Sequence, residues 1–269
     1  MFISLKRNAK KELVPATGRR VRKSTIYVPN QKEDYQISRT RFHDFLTCEK
    51  CFYLDRVKGL DGPQTPPPTL NSLTDSLLKK EFDLCRSKRI PHRIFQKYNL
   101  DYLLPFQHAD LNRWQNSLHG GLAARFSDTN IILQGGVDDI WVDTRNGELV
   151  VADYKSQTKN ETPNAETYLA DPYHEGYKIQ MDFYGFLLSE MGFGVSGTSY
   201  FFVCNAIRSA DGFFGQMEFE ETLIPYKINV DYIPEMVLEM INVINSEIIP
   251  ESNPSCMNCA YATERIPYL

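Results

Sequence analysis

The stretch NIILQGGVDDIWVDTRNGELVVADYKS, residues 130–156, decides how this chain is read. Asn146-Gly147 divides it into two runs rich in β-branched and aromatic residues, and Asn-Gly between such runs is the strongest short-range hairpin signal. Strands are expected over residues 130–142 and 148–156. If Asn146 and Gly147 alone form the loop, opposed residues carry numbers that sum to 293, so that Asp138 faces Lys155 with Asp153 diagonal to it. Sliding the register by two sets Asp138 opposite Asp153. Side chains alternate with period two, so either register puts Asp138, Asp153 and Lys155 on one face. Only an odd slip, such as a bulge, brings in Asp139 instead.

Two carboxylates held that close repel each other unless a cation lies between them. Hard oxygen ligands suit Mg²⁺ or Mn²⁺. Lys155 projects into the same volume, where it can stabilise charge on an attacked phosphate. A Lewis acid, a water and a cationic stabiliser are the parts of phosphodiester hydrolysis. The competing reading is a solvated strand face carrying one salt bridge. The apolar run Leu149-Val150-Val151-Ala152 before Asp153 argues against it, because a central strand buries its acids only at a cost.

Outward from the hairpin, residues 37–60 read as a helix capped by Ser38, with Phe42, Phe45, Leu46 and Tyr53 on its apolar face. A Pro-rich linker over residues 59–68 ends it. Residues 70–86 form a second helix and residues 106–126 a third. After the hairpin, a long helix over residues 173–191 stops at Gly192. Strands over residues 197–205 and 215–225 and a helix over residues 232–248 complete the order. The expectation is an α/β fold whose sheet is of mixed direction and flanked by helices.

At 269 residues the chain is long enough for a large core, and 42% hydrophobic with 24% charged residues is ordinary for a globular protein. No apolar run is long enough to span a bilayer and Lys6 and Arg7 interrupt any secretory signal, so a cytoplasmic protein without a membrane partner is expected. The net charge is −4, yet Lys6, Arg7, Lys10, Lys11, Arg19, Arg20, Arg22 and Lys23 are opposed only by Glu12. Residues 1–33 therefore read as a flexible basic arm able to attract phosphate, and residues 34–269 as the folded domain. Of six cysteines, Cys48, Cys51, Cys256 and Cys259 form two Cys-x-x-Cys pairs; Cys85 and Cys204 read as core residues. In a cytoplasmic chain such pairs point to a metal rather than disulfides, and two pairs suit tetrahedral zinc. One shared ion would join the amino- and carboxy-terminal segments, closing a loop of about two hundred residues.

The order of these motifs resembles the PD-(D/E)XK nuclease superfamily, in its RecB-type, CRISPR-associated exonuclease-like branch. Gly135-Gly136-Val137-Asp138 and the run from Glu148 to Asp153-Tyr154-Lys155 resemble its second and third motifs, and Gln180 with Tyr184 resembles its Gln-x-x-x-Tyr motif. Ile37-Ser38-Arg39 through Phe52-Tyr53-Leu54, and Cys256 through Tyr261, resemble its opening and closing segments. The resemblance implies a restriction-endonuclease-like sheet in a metal-dependent nuclease acting on DNA, of the kind found in repair or defence, with a helicase or another nuclease subunit as a possible companion chain. It implies Asp138, Asp153 and the Tyr154 carbonyl as metal ligands, Lys155 as the catalytic lysine, and Gln180 at the edge of the site touching substrate phosphate or a ligand. Tyr184 is expected simply to pack beside Tyr177 and Leu188.

Many members carry a histidine on the helix before the hairpin; here that helix has none. Asp75, Leu78 and Phe82 lie at i, i+3 and i+7, which puts an acid on an apolar stripe. Because other branches place an acid at this point, Asp75 is the expected third ligand, with Glu81 in reserve and His119 as a further substitute. Lys79 and Lys80 are expected to grip DNA phosphates. Related nucleases hold an iron–sulfur cluster on one cysteine before the domain and three after it. This chain has two and two, but Cys48 and Cys259 occupy family positions, so the resemblance favours a cluster over zinc. The alternative to the enzyme is a non-cleaving nucleic-acid-binding module of a repair or defence complex.

Overall fold

The computed structural model describes residues 5–63 and 68–269. The first four residues of the basic stretch and residues 64–67 of the Pro-rich linker lie outside the described residues. The chain divides into two compact units: unit 1 is Met1–Pro67 with Pro234–Leu269, and unit 2 is Pro68–Ile233. No helix among the described residues is long and apolar enough to cross a membrane.

In the first segment of unit 1, strand β1 (Tyr35–Ser38) runs into helix α1 (Arg39–Thr47), where the Ser38 hydroxyl accepts the Arg41 N–H as the expected N-cap. The single helix expected over residues 37–60 is two helices. Cys48 has extended dihedrals (φ −161°, ψ 104°), and α2 (Glu49–Arg56) starts after it. The basic stretch is not free along its whole length. Arg20 pairs with Asp55, its N–H donates to the Gly59 carbonyl at 2.8 Å, and Tyr27 is buried.

Unit 2 opens with α3 (Thr69–Lys88), followed by α4 (Arg93–Lys97) and β2 (Leu103–Pro105). The helix expected over residues 106–126 is absent. Only α5 (Leu111–Trp114) is helical there, and β3 (Leu122–Arg125) follows. Gly120-Gly121 explains the break, since Gly121 has φ +101° and a Cβ there would lie 2.8 Å from the Gly135 carbonyl oxygen. The long strand expected over residues 130–142 is likewise split into β4 (Ile131–Gly135) and β5 (Asp139–Asp143). Then come β6 (Leu149–Gln157), α6 (Ala165–Ala170), α7 (Glu175–Glu190), β7 (Thr198–Ala206) and β8 (Phe219–Lys227). Gly192, with φ +89°, closes α7 as expected.

Five strands form one sheet in the order β2-β5-β6-β7-β8. β6 and β7 are parallel, joined by the α7 crossover, and every other neighbouring pair is antiparallel, so the sheet is mixed as expected. Val150, Ala152 and Tyr154 of β6 join Leu78 and Phe82 of α3 in one core, with Phe82 stacked on Trp141 at 5.5 Å. By the period of two, Val151, Asp153 and Lys155 leave the opposite face of β6. The second segment of unit 1 supplies α8 (Ile233–Asn245), which begins one residue inside unit 2, and α9 (Met257–Arg265).

Candidate active site and cysteine centre

Pairing of Val142 with Leu149 and Asp139 with Ala152 means that opposed residues sum to 291, not 293. The turn is longer than Asn146-Gly147 alone: Asp143 donates its N–H to the Glu148 carbonyl at 2.9 Å, and the Asp143 carboxylate accepts the Arg145 N–H at 3.0 Å inside it. That shift of two is the alternative register, and it carries Asp138 to the position opposite Asp153.

Asp138 sits at a corner, residues 136–138, rather than in a strand. Gly136 is needed there because a Cβ would lie 2.6 Å from the Ser117 Cα. The Gln115 side-chain amide donates to the Asp138 carbonyl at 2.7 Å, and the Tyr184 hydroxyl donates to the Gly136 carbonyl at 2.6 Å. Held in this way, the Asp138 Oδ2 accepts the Tyr154 N–H at 2.9 Å. N–H and C=O of one residue leave an extended strand on the same side, so the Tyr154 carbonyl faces this flank too.

Asp153 is fully buried, and its two oxygens meet different groups. Gln180 Nε2 donates to Oδ1 at 2.6 Å, and the Lys155 ammonium contacts Oδ2. Lys155 also lies 4.3 Å from the centre of the Tyr177 ring. From α3, Lys79 Nζ reaches Asp75 Oδ2 at 3.0 Å and Asp138 Oδ1 at 3.7 Å. Asp75, Asp138, Asp153, Lys155 and Gln180 are thus brought together by α3, the corner, β6 and α7.

Burial, and then the charge of Asp138, push the Asp153 carboxyl up to about 7. Asp75 is raised for the same two reasons in the same order. For Lys155, burial works against the charged form, but the Asp153 and Asp138 carboxylates more than offset it and the amine stays an ammonium. Two buried carboxylate oxygens, Asp75 Oδ1 and Asp153 Oδ2, have no hydrogen-bond partner. The Lys155 contact with the second is an ion contact without hydrogen-bond geometry. Oxygens of this kind fit a cation.

Several expectations need correction. Glu81, the reserve ligand, turns to His92 at 3.0 Å and Arg93 at 3.2 Å, and His119 is exposed. Lys79 pairs with Asp75 and Asp138 and is partly exposed; Lys80 is exposed. Gln180, expected to touch substrate phosphate or a ligand, donates its amide to Asp153 and, at 3.2 Å, to the Tyr184 hydroxyl. Tyr184 is buried as expected, but its hydroxyl also ties α7 to the corner. Cys204 is buried, whereas Cys85 is only half-buried.

One set of supporting residues escaped the sequence reading. Asp139 is wholly buried on the face opposite Asp138, paired with Arg86 of α3 and accepting the Tyr154 hydroxyl at 2.8 Å. The signal was present: of two consecutive acids entering a central strand, one must turn into the core and there needs a cation. Arg86 stands seven residues after Lys79, on the same face of α3.

In unit 1, Cys48, Cys51, Cys256 and Cys259 come together as expected. Their sulfurs all lie within 4.8 Å of one another, and among the described residues this is the sole group of three or more Cys, His, Asp or Glu ligand atoms so close. Burial pushes the Cys48 thiol up, but backbone N–H groups of Cys51 and Asn253 help hold it down to about 7.

A family model for the PD-(D/E)XK nuclease superfamily matches residues 36–263. None of the curated proteins matches the chain. A solved structure from Eubacterium rectale, named "Putative exonuclease", is similar at 15% identity with a TM-score of 0.42, covering 86% of this chain and 88% of that one.

Proposed function

We propose, from the premise that this chain belongs to the PD-(D/E)XK nuclease superfamily, that it hydrolyses phosphodiester bonds of DNA with the help of Mg²⁺ or Mn²⁺. The observations that support the ion most directly are the buried Asp75 Oδ1, which has no hydrogen-bond partner, and the buried Asp153 Oδ2, which the Lys155 ammonium contacts. Asp75, Asp138, Asp153 and the Tyr154 carbonyl are the residues that would hold it. All offer hard oxygen, as a small divalent cation requires. When bound, the ion supplies Lewis acidity and neutralises charge on the attacked phosphate.

The remaining work falls to this chain's own groups. Lys155 keeps its proton, and from beside Asp153 it can donate to a non-bridging phosphate oxygen as negative charge builds there. Gln180 fixes the rotamer of Asp153, and Tyr184 and Gln115 fix the corner that carries Asp138. Lys79 balances Asp75 and Asp138, and is free to meet phosphate once their charge is satisfied otherwise. Lys80 and the exposed basic residues between Lys6 and Lys23 extend the contact with the DNA backbone.

The test is digestion of labelled linear and circular DNA, single- and double-stranded, with Mn²⁺. Asp153→Asn keeps the shape of the side chain, and Lys155→Ala removes the amine. Each is expected to lower the rate by on the order of 10³-fold while the circular dichroism spectrum stays that of the parent. Either variant cutting as fast as the parent would show the site to be wrongly placed. A parent that binds DNA without metal-dependent turnover would make the chain a binding module and overturn the enzyme.

A further inference from the structure

Related nucleases carry an iron–sulfur cluster at their cysteines, and the four sulfurs here do not fit one. Cys51 Sγ lies 3.6 Å from Cys256 Sγ and 3.4 Å from Cys259 Sγ, and Cys48 Sγ lies 3.8 Å from Cys259 Sγ. The remaining pairs are no farther apart than 4.8 Å. Four thiolates around a single ion, each at about 2.3 Å from it, form a tetrahedron with edges of roughly 3.8 Å. The three short distances, 3.4–3.8 Å, are close to those edges.

A cubane cluster puts each cysteine on a different iron, with sulfides between them, so no two thiolates come this near. A two-iron cluster allows two thiolates per iron, which permits two close pairs that share no member. Here Cys51 is close to both Cys256 and Cys259, and Cys259 to both Cys51 and Cys48. That pattern of shared vertices leaves room for one metal atom and none for bridging sulfide.

The local fold repeats itself around the same point. Cys48 is the N-cap of α2 and Cys51 lies in its first turn; Cys256 is the N-cap of α9 and Cys259 lies in its first turn. Neither cap residue uses its side chain to cap its helix, so both sulfurs are left for another partner. Two helix amino ends, each with its positive dipole end, face a centre that would carry four thiolates against one dication. The Asn258 side-chain amide adds a donor to Cys51 Sγ at 3.4 Å.

We infer that Cys48, Cys51, Cys256 and Cys259 bind one Zn²⁺ tetrahedrally, as a structural clamp within unit 1, in place of the iron–sulfur cluster of related nucleases. All four positions are filled by protein, which leaves no open place for water or substrate and makes the ion structural. The inference does not depend on the nuclease reading, since it concerns other residues.

The full chain, purified without oxygen from cells supplied with both iron and zinc, is assayed for metals and sulfide and studied by X-ray absorption at the zinc edge. The expected result is one zinc per chain, no acid-labile sulfide, no brown colour, and a shell of four sulfurs at about 2.3 Å with no metal–metal scattering. Replacement by Co²⁺ should give the strong green-blue absorption of a tetrahedral thiolate site. Stoichiometric iron with sulfide would overturn the inference, as would a single iron without sulfide, or a metal-free protein that takes up no zinc. Cys51→Ser together with Cys259→Ser should abolish the one-zinc stoichiometry. If that variant does not fold, the absorption spectrum of the parent protein decides alone.

Discussion

Cys51 and Cys256 bring their sulfurs to 3.6 Å, whereas Asp75 and Asp138 meet through the Lys79 ammonium, which reaches both carboxylates. Both clusters gather groups that become anionic, yet the chain treats them differently. Thiols can pack against each other: burial pushes Cys51 and Cys259 up, while Cys48 is held down to about 7, and the raised ones give up their protons to an arriving ion. Carboxylates ionise more readily than thiols, though burial and the Asp138 charge push Asp153 and Asp75 up, and the chain balances the cluster with its own amines, Lys79 and Lys155. A cation entering the carboxylate cluster must compete with two lysines, which suits an exchangeable ion. One entering the cysteine cluster displaces protons from sulfur and gains four thiolate bonds, which suits a resident one.

The two clusters should differ most under selective chelation. Brief EDTA treatment is expected to abolish DNA cleavage completely while the zinc content stays at one per chain, and added Mn²⁺ should restore the rate. Loss of zinc together with activity would erase the distinction. A second large effect is expected behind the carboxylates. Arg86→Met leaves Asp139 charged and unpaired in the core, which should cost about 3–5 kcal/mol in urea unfolding followed by far-ultraviolet dichroism.

Smaller effects sharpen the picture. Gln180→Ala frees Asp153 to turn, and Mn²⁺ affinity measured by calorimetry should weaken by roughly 10–100-fold. For pH the sign follows from Asp153. The ion needs its carboxylate ionised, and a group raised to about 7 still holds its proton below that pH. Mn²⁺ uptake should therefore release a proton, and the affinity should fall by up to about tenfold for each pH unit below 7. An affinity flat from pH 5 to 8 would contradict it. The smallest change is expected at Cys85, which neither cluster includes: Cys85→Ser should shift stability by no more than about 0.5 kcal/mol and leave zinc content and cleavage unaltered.

The sequence made the hairpin, the face shared by Asp138, Asp153 and Lys155, and the meeting of the two Cys-x-x-Cys pairs readable, because each rests on a short period or a fixed spacing. The exact register was not readable. It depends on the Asp143 carboxylate closing a longer turn over Arg145, which Asn146-Gly147 does not reveal. The false helix over residues 106–126 and the unbroken strand over residues 130–142 failed for one reason. Gly120, Gly121 and Gly136 are sites where backbone passes close to backbone, and those approaches come from tertiary packing. The i, i+4 spacing of Asp75 and Lys79 on α3 was in the sequence, but the approach of Lys79 to Asp138 was not, because it comes from the packing of α3 against another element.

The division of the chain has a consequence for how the molecule is made. Unit 2 occupies one uninterrupted stretch, Pro68–Ile233, while unit 1 is assembled from residues on both sides of it. During translation every residue of the acidic cluster has left the ribosome before Cys256 is added, so the proposed catalytic centre can form while the proposed clamp still lacks half its ligands. A reading-frame error late in the message would therefore remove two of the four cysteines and leave every residue of the acidic cluster encoded.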